Sequence, residues 1–195
     1  MRFIKKLYDW VLHWAETPYA VPALFILAFT ESSFFPVPPD VLLITLAISI
    51  PKRSFRYAAI CAVGSVLGGI LGYSIGLYGY ETLGRPIVEF YHGQDIMNAI
   101  KIRYDQYGFL GILIAAITPI PYKVFTIASG VFEFDFWSFL VASVIGRSTR
   151  FFVVAGLIWK FGPAIKGFID RYFNLLSYIF IILLAGGFVL IKYVF

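Results

Sequence analysis

Apolar residues in this chain run in stretches too long for the interior of a soluble domain, and several of these stretches are interrupted by prolines and charges. Residues 57–79 carry no charge and predict a full membrane-crossing helix. Residues 136–159 and 173–191 predict two more, the first with Arg147 and Arg150 inside it. Residues 20–50 are equally apolar but contain Pro36, Pro38 and Pro39. A proline has no N–H to donate and crowds the preceding turn, so three in four positions cannot continue one helix. Each arm on either side is about 14 residues or fewer, roughly 21 Å, short of a hydrocarbon core about 30 Å thick. The segment therefore predicts a re-entrant hairpin. Residues 108–133, broken by Pro119 and Pro121, predict a second.

Residues 81–107 are mixed in polarity, with Pro86 and Gly93 as breaks, and predict surface helices. In residues 1–19, Phe3, Leu7, Trp10 and Trp14 share one helical face, the pattern of a short helix lying in the interface or of a capping helix packed on the bundle. Asp9 and His13 interrupt this segment and no small-residue cleavage site follows, so it reads as retained rather than as a signal peptide. The predicted fold class is an all-α polytopic membrane protein, one domain over 1–195. It comprises an interfacial N-terminal helix, inverted repeats each of a re-entrant hairpin plus a transmembrane helix, and a final transmembrane helix.

Composition strengthens this picture. Sixty per cent of the residues are hydrophobic, 14% are charged and the mean hydropathy is +0.83, so lipid must serve as solvent for much of the surface. The net charge of +5 is spread over loops, which makes anionic lipid a better partner than nucleic acid. Cys61 is the single cysteine, so an internal disulfide and a cysteine metal site are excluded and no cofactor is predicted. Nine basic residues (Arg2, Lys5, Lys6, Lys52, Arg53, Arg56, Lys160, Lys166 and Arg171) fall in segments assigned to the cytoplasmic side. Four (Arg85, Lys101, Arg103 and Lys192) fall outside, a bias that orients a multi-pass protein in the cytoplasmic membrane.

Pro36-Val37-Pro38-Pro39-Asp40-Val41-Leu42-Leu43-Ile44 aligns with Pro119-Ile120-Pro121-Tyr122-Lys123-Val124-Phe125-Thr126-Ile127 at an offset of 83 residues. With one residue of slip, Gly64 aligns with Gly146. Each half then reads as a broken hairpin followed by a full helix, the design in which paired broken helices meet near the bilayer midplane. Gly64, Gly68, Gly72 and Gly76 recur at every fourth position, giving a smooth face for close helix packing.

Five ionisable residues lie inside apolar segments: Glu31, Asp40, Lys123, Arg147 and Arg150. A charge at the bilayer centre costs at least about 2.5–3.5 kcal/mol, so these must face one another or a wet cavity. Two acids against three bases leave one positive charge for an anion. Arg147 and Arg150, three apart on one helix face, present two guanidinium forks suited to a phosphate, with Lys123 as a further cation. Burial disfavours an ionised carboxyl and a neighbouring guanidinium favours it, so Glu31 and Asp40 are candidates to carry a proton. Lys123 holds the place of Asp40 in the second repeat, which makes the two candidates to pair; the alternative role for all five charges is a buried salt network that only fixes hairpin geometry.

The stretch Glu31-Ser32-Ser33-Phe34-Phe35-Pro36-Val37-Pro38-Pro39-Asp40 resembles the E-x4-P-x-P-x-(D/E) signature of the DedA family, which is related to the VTT-domain lipid scramblases. The resemblance covers roughly residues 23–159. It implies two re-entrant hairpins facing each other, lipid movement across the membrane, and in bacterial members a cargo such as undecaprenyl phosphate, coupled to protons. It also implies that Glu31 and Asp40 are the family's acidic pair. The chain departs from the family pattern in offering Thr118 and Lys123 where arginines flank the second hairpin proline, and Gly68-Gly69 where the family has Gly-Asp.

The sequence thus points to a transporter or scramblase of a phosphate-bearing lipid, with self-association left open. A proton-coupled exchanger of small ions or drugs is the alternative. A membrane-embedded lipid phosphatase is disfavoured: His13 and His92, the two histidines, lie in interfacial segments and no nucleophile–base cluster is apparent.

Overall fold

The computed structural model describes residues 19–35, 37–90, 94–118 and 120–162. The expected interfacial helix before Tyr19, the final span at 173–191, and the hairpin-tip residues Pro36 and Pro119 lie outside the described residues. Among the described residues every regular element is helical.

Helix α1 spans Ala20–Ser33 and stops where prolines approach, its last turn closed by the Phe34 and Phe35 N–H groups on the Thr30 carbonyl at 2.9 and 2.8 Å. After the break, α2 runs Asp40–Ser49, with Pro39 as its N-cap and Asp40 in its first turn, where a negative charge suits the helix dipole. A 3₁₀ turn at Pro51–Arg53 leads into α3, Ser54–Gly79. The chain stays helical beyond it, through a π-turn at Tyr80–Gly84 into α4, Arg85–Phe90. Pro86 is therefore no break: it occupies the first turn of α4, where its missing N–H is tolerated. Helix α5 spans Gln94–Ile117 and runs unbroken across the boundary expected between 107 and 108, because nothing in Tyr107-Gly108-Phe109 interrupts backbone hydrogen bonding. The second proline break follows, then α6, Tyr122–Val131, and α7, Phe136–Phe161.

The two halves match in more than motif. Helices α2 and α6 each have 10 residues, α3 and α7 each have 26, and both pairs begin 82 residues apart. The first arms differ: α1 has 14 residues, whereas α5 has 24, about 36 Å. The stretches Pro51–Thr82 and Phe136–Phe161 are long and apolar enough to cross a membrane. Helices α3 and α7 lie antiparallel, with Phe55 against Phe152 and Trp159 at one end and Tyr73 against Phe136 and Phe139 at the other. Around them α1 packs mainly on α3 and α5 on α7, while α2 lies against both α7 and α3 and α6 packs mainly on α3.

The glycine face of α3 explains the tightness of this arrangement. A methyl at Gly68 would overlap the Phe29 carbonyl of α1, one at Gly64 would sit 2.8 Å from the Phe25 carbonyl, and one at Gly76 would overlap the Ile127 carbonyl of α6. At Gly72 it would meet the Thr126 hydroxyl. One stripe of four glycines therefore seats two helices, α1 on its first half and α6 on its second. Gly146 plays the same part on α7, where Ala116 of α5 leaves no room for a Cβ. Two apolar clusters result, one centred on Leu24, Leu42, Leu43, Cys61 and Phe151, the other on Ile112, Tyr122, Phe125 and Phe139.

Candidate functional site: an ionic junction between two proline breaks

Four of the five charges singled out in the sequence form two ion pairs, each tying the second long helix to the first broken pair. Arg147 Nη2 donates to Glu31 Oε2 at 2.7 Å, and Arg150 Nη2 donates to Asp40 Oδ2 at 2.9 Å. Glu31 lies near the end of α1 and Asp40 opens α2, so arginines one helical turn apart on α7 hold the two sides of one proline break.

The two pairs differ in environment. The Arg147 side chain is 2% exposed and its guanidinium is covered on both faces, 4.9 Å from the Tyr122 ring centre and 4.8 Å from that of Phe151. Its Nε–H donates to the Ser65 hydroxyl, and Ser65 lies 2.6 Å from the Ser32 hydroxyl, which in turn donates to Glu31 at 3.2 Å. Buried ionic groups persist when their remaining donors and acceptors are satisfied, and this ring of hydroxyls does so. Arg150 and Asp40 are about one-fifth exposed, so this pair sits at the rim.

The backbone of the breaks is bound as well. Pro39 cannot donate to the Phe35 carbonyl, and that carbonyl accepts from Lys123 Nζ at 3.2 Å. The Thr118 carbonyl, in the equivalent place 83 residues later, accepts from Arg150 Nη1 at 2.9 Å. Thr126 Oγ1 also donates to the Ser32 carbonyl at 3.2 Å. The two breaks are thus joined to each other, and to α7, through cations on orphaned carbonyls.

The pairing left open between Lys123 and Asp40 does not form, because the bidentate fork of Arg150 takes Asp40 while the carbonyl freed by Pro39 takes Lys123. No carboxylate among the described residues pairs with Lys123. Arg147, expected to face an anion, is sealed in this conformation. Three participants were not readable as such from sequence: Ser65 on the glycine helix, and Tyr122 and Phe151 as covers of a guanidinium. The P-x-P register placed Tyr122 at the break, but its ring orientation is set by tertiary packing, with its hydroxyl against Gly69. No group of three or more His, Cys, Asp or Glu side chains among the described residues is placed to hold a metal ion.

Comparison with known proteins gives this geometry a family. The VTT domain profile matches residues 37–160, from the first proline break to the end of α7. An uncharacterized protein of Haemophilus influenzae is 31% identical over 192 residues, covering 98% of this chain and 100% of its own length. An uncharacterized protein of Histophilus somni is 32% identical over 157 residues (80% of this chain, 82% of its own), and one of Methanocaldococcus jannaschii is 24% identical over 132 (68% and 79%). No solved structure matches. The matched span contains Asp40, Lys123, Arg147 and Arg150, and the chain belongs to the VTT-domain, or DedA, family of membrane proteins.

Proposed function

We infer that this protein moves a phosphate-bearing lipid, such as a phospholipid or undecaprenyl phosphate, across the cytoplasmic membrane as a multi-pass transporter or scramblase without enzymatic chemistry. The observation that carries this reading is the charge balance of the junction: two carboxylates against three cations, held between two proline breaks, with Lys123 compensated among the described residues only by a carbonyl. A site with one uncancelled positive charge attracts an anion, and its location inside an apolar bundle selects an anion attached to a lipid.

The antiparallel spans, the equal helix lengths and the packing of α6 on α3 and of α2 on α7 and α3 support inverted repeats whose breaks dip from opposite leaflets. In the conformation described here the junction is closed, with both arginines occupied. A phosphate arriving at Lys123 competes with Glu31 and Asp40 for the guanidiniums, and protonation of either acid frees its arginine for the phosphate. That competition couples lipid movement to protons. Purified protein in vesicles carrying fluorescent phospholipid or polyprenyl phosphate tests this, with and without a pH gradient. Accelerated movement of the phosphate-bearing lipids over protein-free vesicles supports the reading, and no acceleration for any of them refutes it.

A further inference from the structure

Beside the junction, α1 carries a groove of about 530 Å³ lined by Pro22, Ala23, Ile26, Leu27, Thr30 and Phe35, beginning at Tyr19. The sequence reading assigned it no role. Its one hydroxyl besides that of Tyr19 is internally satisfied: Thr30 Oγ1 donates to the Ile26 carbonyl at 2.8 Å, so the groove is faced with hydrocarbon. The groove is not an isolated apolar patch. Its lining includes Phe35, whose carbonyl accepts from Lys123, and Thr30, which immediately precedes Glu31 of the buried ion pair. The apolar groove thus shares Phe35 with a cation that has no carboxylate partner among the described residues.

We propose that this groove seats one hydrocarbon chain of an anionic lipid while the lipid's phosphate sits at Lys123. The charge complementarity at the Phe35 end selects the occupant, because a neutral hydrocarbon gains nothing from Lys123 and a free phosphate gains nothing from the groove. Tyr19, 63% exposed at the far end, stands where an aromatic side chain marks a membrane interface. The groove rests on the lipid-phosphate reading above and adds a tail site to it.

The test uses full-length protein in phosphatidylcholine nanodiscs with two photoactivatable probes: a phosphatidic acid bearing a diazirine in one acyl chain, and a diacylglycerol bearing the same chain. Phosphatidic acid is expected to label residues 22–30 at least about fivefold more densely than the exposed α7 positions Val144, Val153 and Leu157. Ile26→Trp, which fills the groove at a 57% exposed position and leaves the core untouched, is expected to remove that excess. Lys123→Gln is expected to reduce labelling by phosphatidic acid to the level of diacylglycerol, which it leaves unchanged. Millimolar inorganic phosphate is expected to leave the labelling in place. Equal label density on α1 and α7, or an excess that survives Ile26→Trp, overturns the groove. An excess that Lys123→Gln does not alter overturns the headgroup seat. Groove labelling in a protein that moves no lipid in vesicles supports the site and removes the transport reading, so the two fail separately.

Discussion

Ser65 and Arg147 stand at the same place in two helices of equal length, each eleven residues after its helix begins, and the Arg147 Nε–H donates to the Ser65 hydroxyl. The contact therefore joins equivalent positions of two antiparallel helices. Around it the halves have diverged in charge: the first repeat offers Ser65, Gly68 and Asp40 where the second offers Arg147, Arg150 and Lys123. The second half supplies the junction's cations and the first its anions, so attraction acts between the halves.

That division predicts strong coupling between Glu31 and Arg147. Glu31→Gln leaves a guanidinium buried without its counter-ion, which costs about 3–5 kcal/mol when a buried pair is broken from one side. Replacing both, Glu31→Gln with Arg147→Gln, is expected to cost less than the sum of the single changes. Thermal unfolding in detergent measures this; additive losses would show that the pair does not interact.

Gly68 and Gly79 are both on α3 yet predict opposite outcomes. At Gly68 a methyl overlaps the Phe29 carbonyl, so Gly68→Ala is expected to destabilise the protein by about 1–3 kcal/mol as α1 is pushed outward. At Gly79 nothing lies within 4 Å, and Gly79→Ala is expected to be neutral or stabilising by up to about 1 kcal/mol through helix propensity. Equal effects in the same unfolding assay would remove the close-packing role of the stripe.

The proposed inverted hairpins predict sidedness. In a Cys61→Ala background, single cysteines at Tyr19 and Lys52 flank the first broken pair, and those at Tyr107 and Glu133 flank the second break. An impermeant maleimide added to spheroplasts is expected to label 107 and 133 and to spare 19 and 52. Labelling of only one member of either pair would mean that the segment crosses the bilayer rather than returning.

Asp135 caps α7 outside the apolar stretch, accepting from the Ser138 N–H at 2.7 Å, and this backbone bond holds its carboxyl below the usual carboxylate range. A lowered value means the cap's contribution is full above the ordinary carboxyl range near 3.9 and is lost as pH falls through the folded value. Asp135→Asn keeps an acceptor but cannot titrate. Melting temperature is expected to fall less steeply on acidification in this variant than in the parent, and identical slopes would contradict the assignment.

The elements that sequence made legible were those with a local cause. Prolines 38, 39 and 121 break helices by covalent necessity, and no partner is needed to read them. The four-residue glycine spacing likewise announced a close contact, though not that α1 and α6 would share it. What remained hidden depended on tertiary choice. Asp40 could have paired with Lys123 or Arg150, and only the placement of α7 decided for Arg150. The uninterrupted passage of α5 through Tyr107 was obscured because polar and apolar halves of one helix look like two elements. Ser65 gave no signal, since a lone serine in a membrane helix is commonplace.

The central claim is that the junction must part for lipid to move. Ser32 and Ser65, whose hydroxyls lie 2.6 Å apart, allow the α1 side of it, which carries Glu31, to be fixed in place: Ser32→Cys with Ser65→Cys, in a Cys61→Ala background, places two thiols across the α1–α3 contact beside Arg147. Lipid movement in reconstituted vesicles is measured for the oxidised protein and again after reduction. Movement that stops on disulfide formation and returns with dithiothreitol is the predicted result. Undiminished movement with the disulfide quantitatively formed would contradict it.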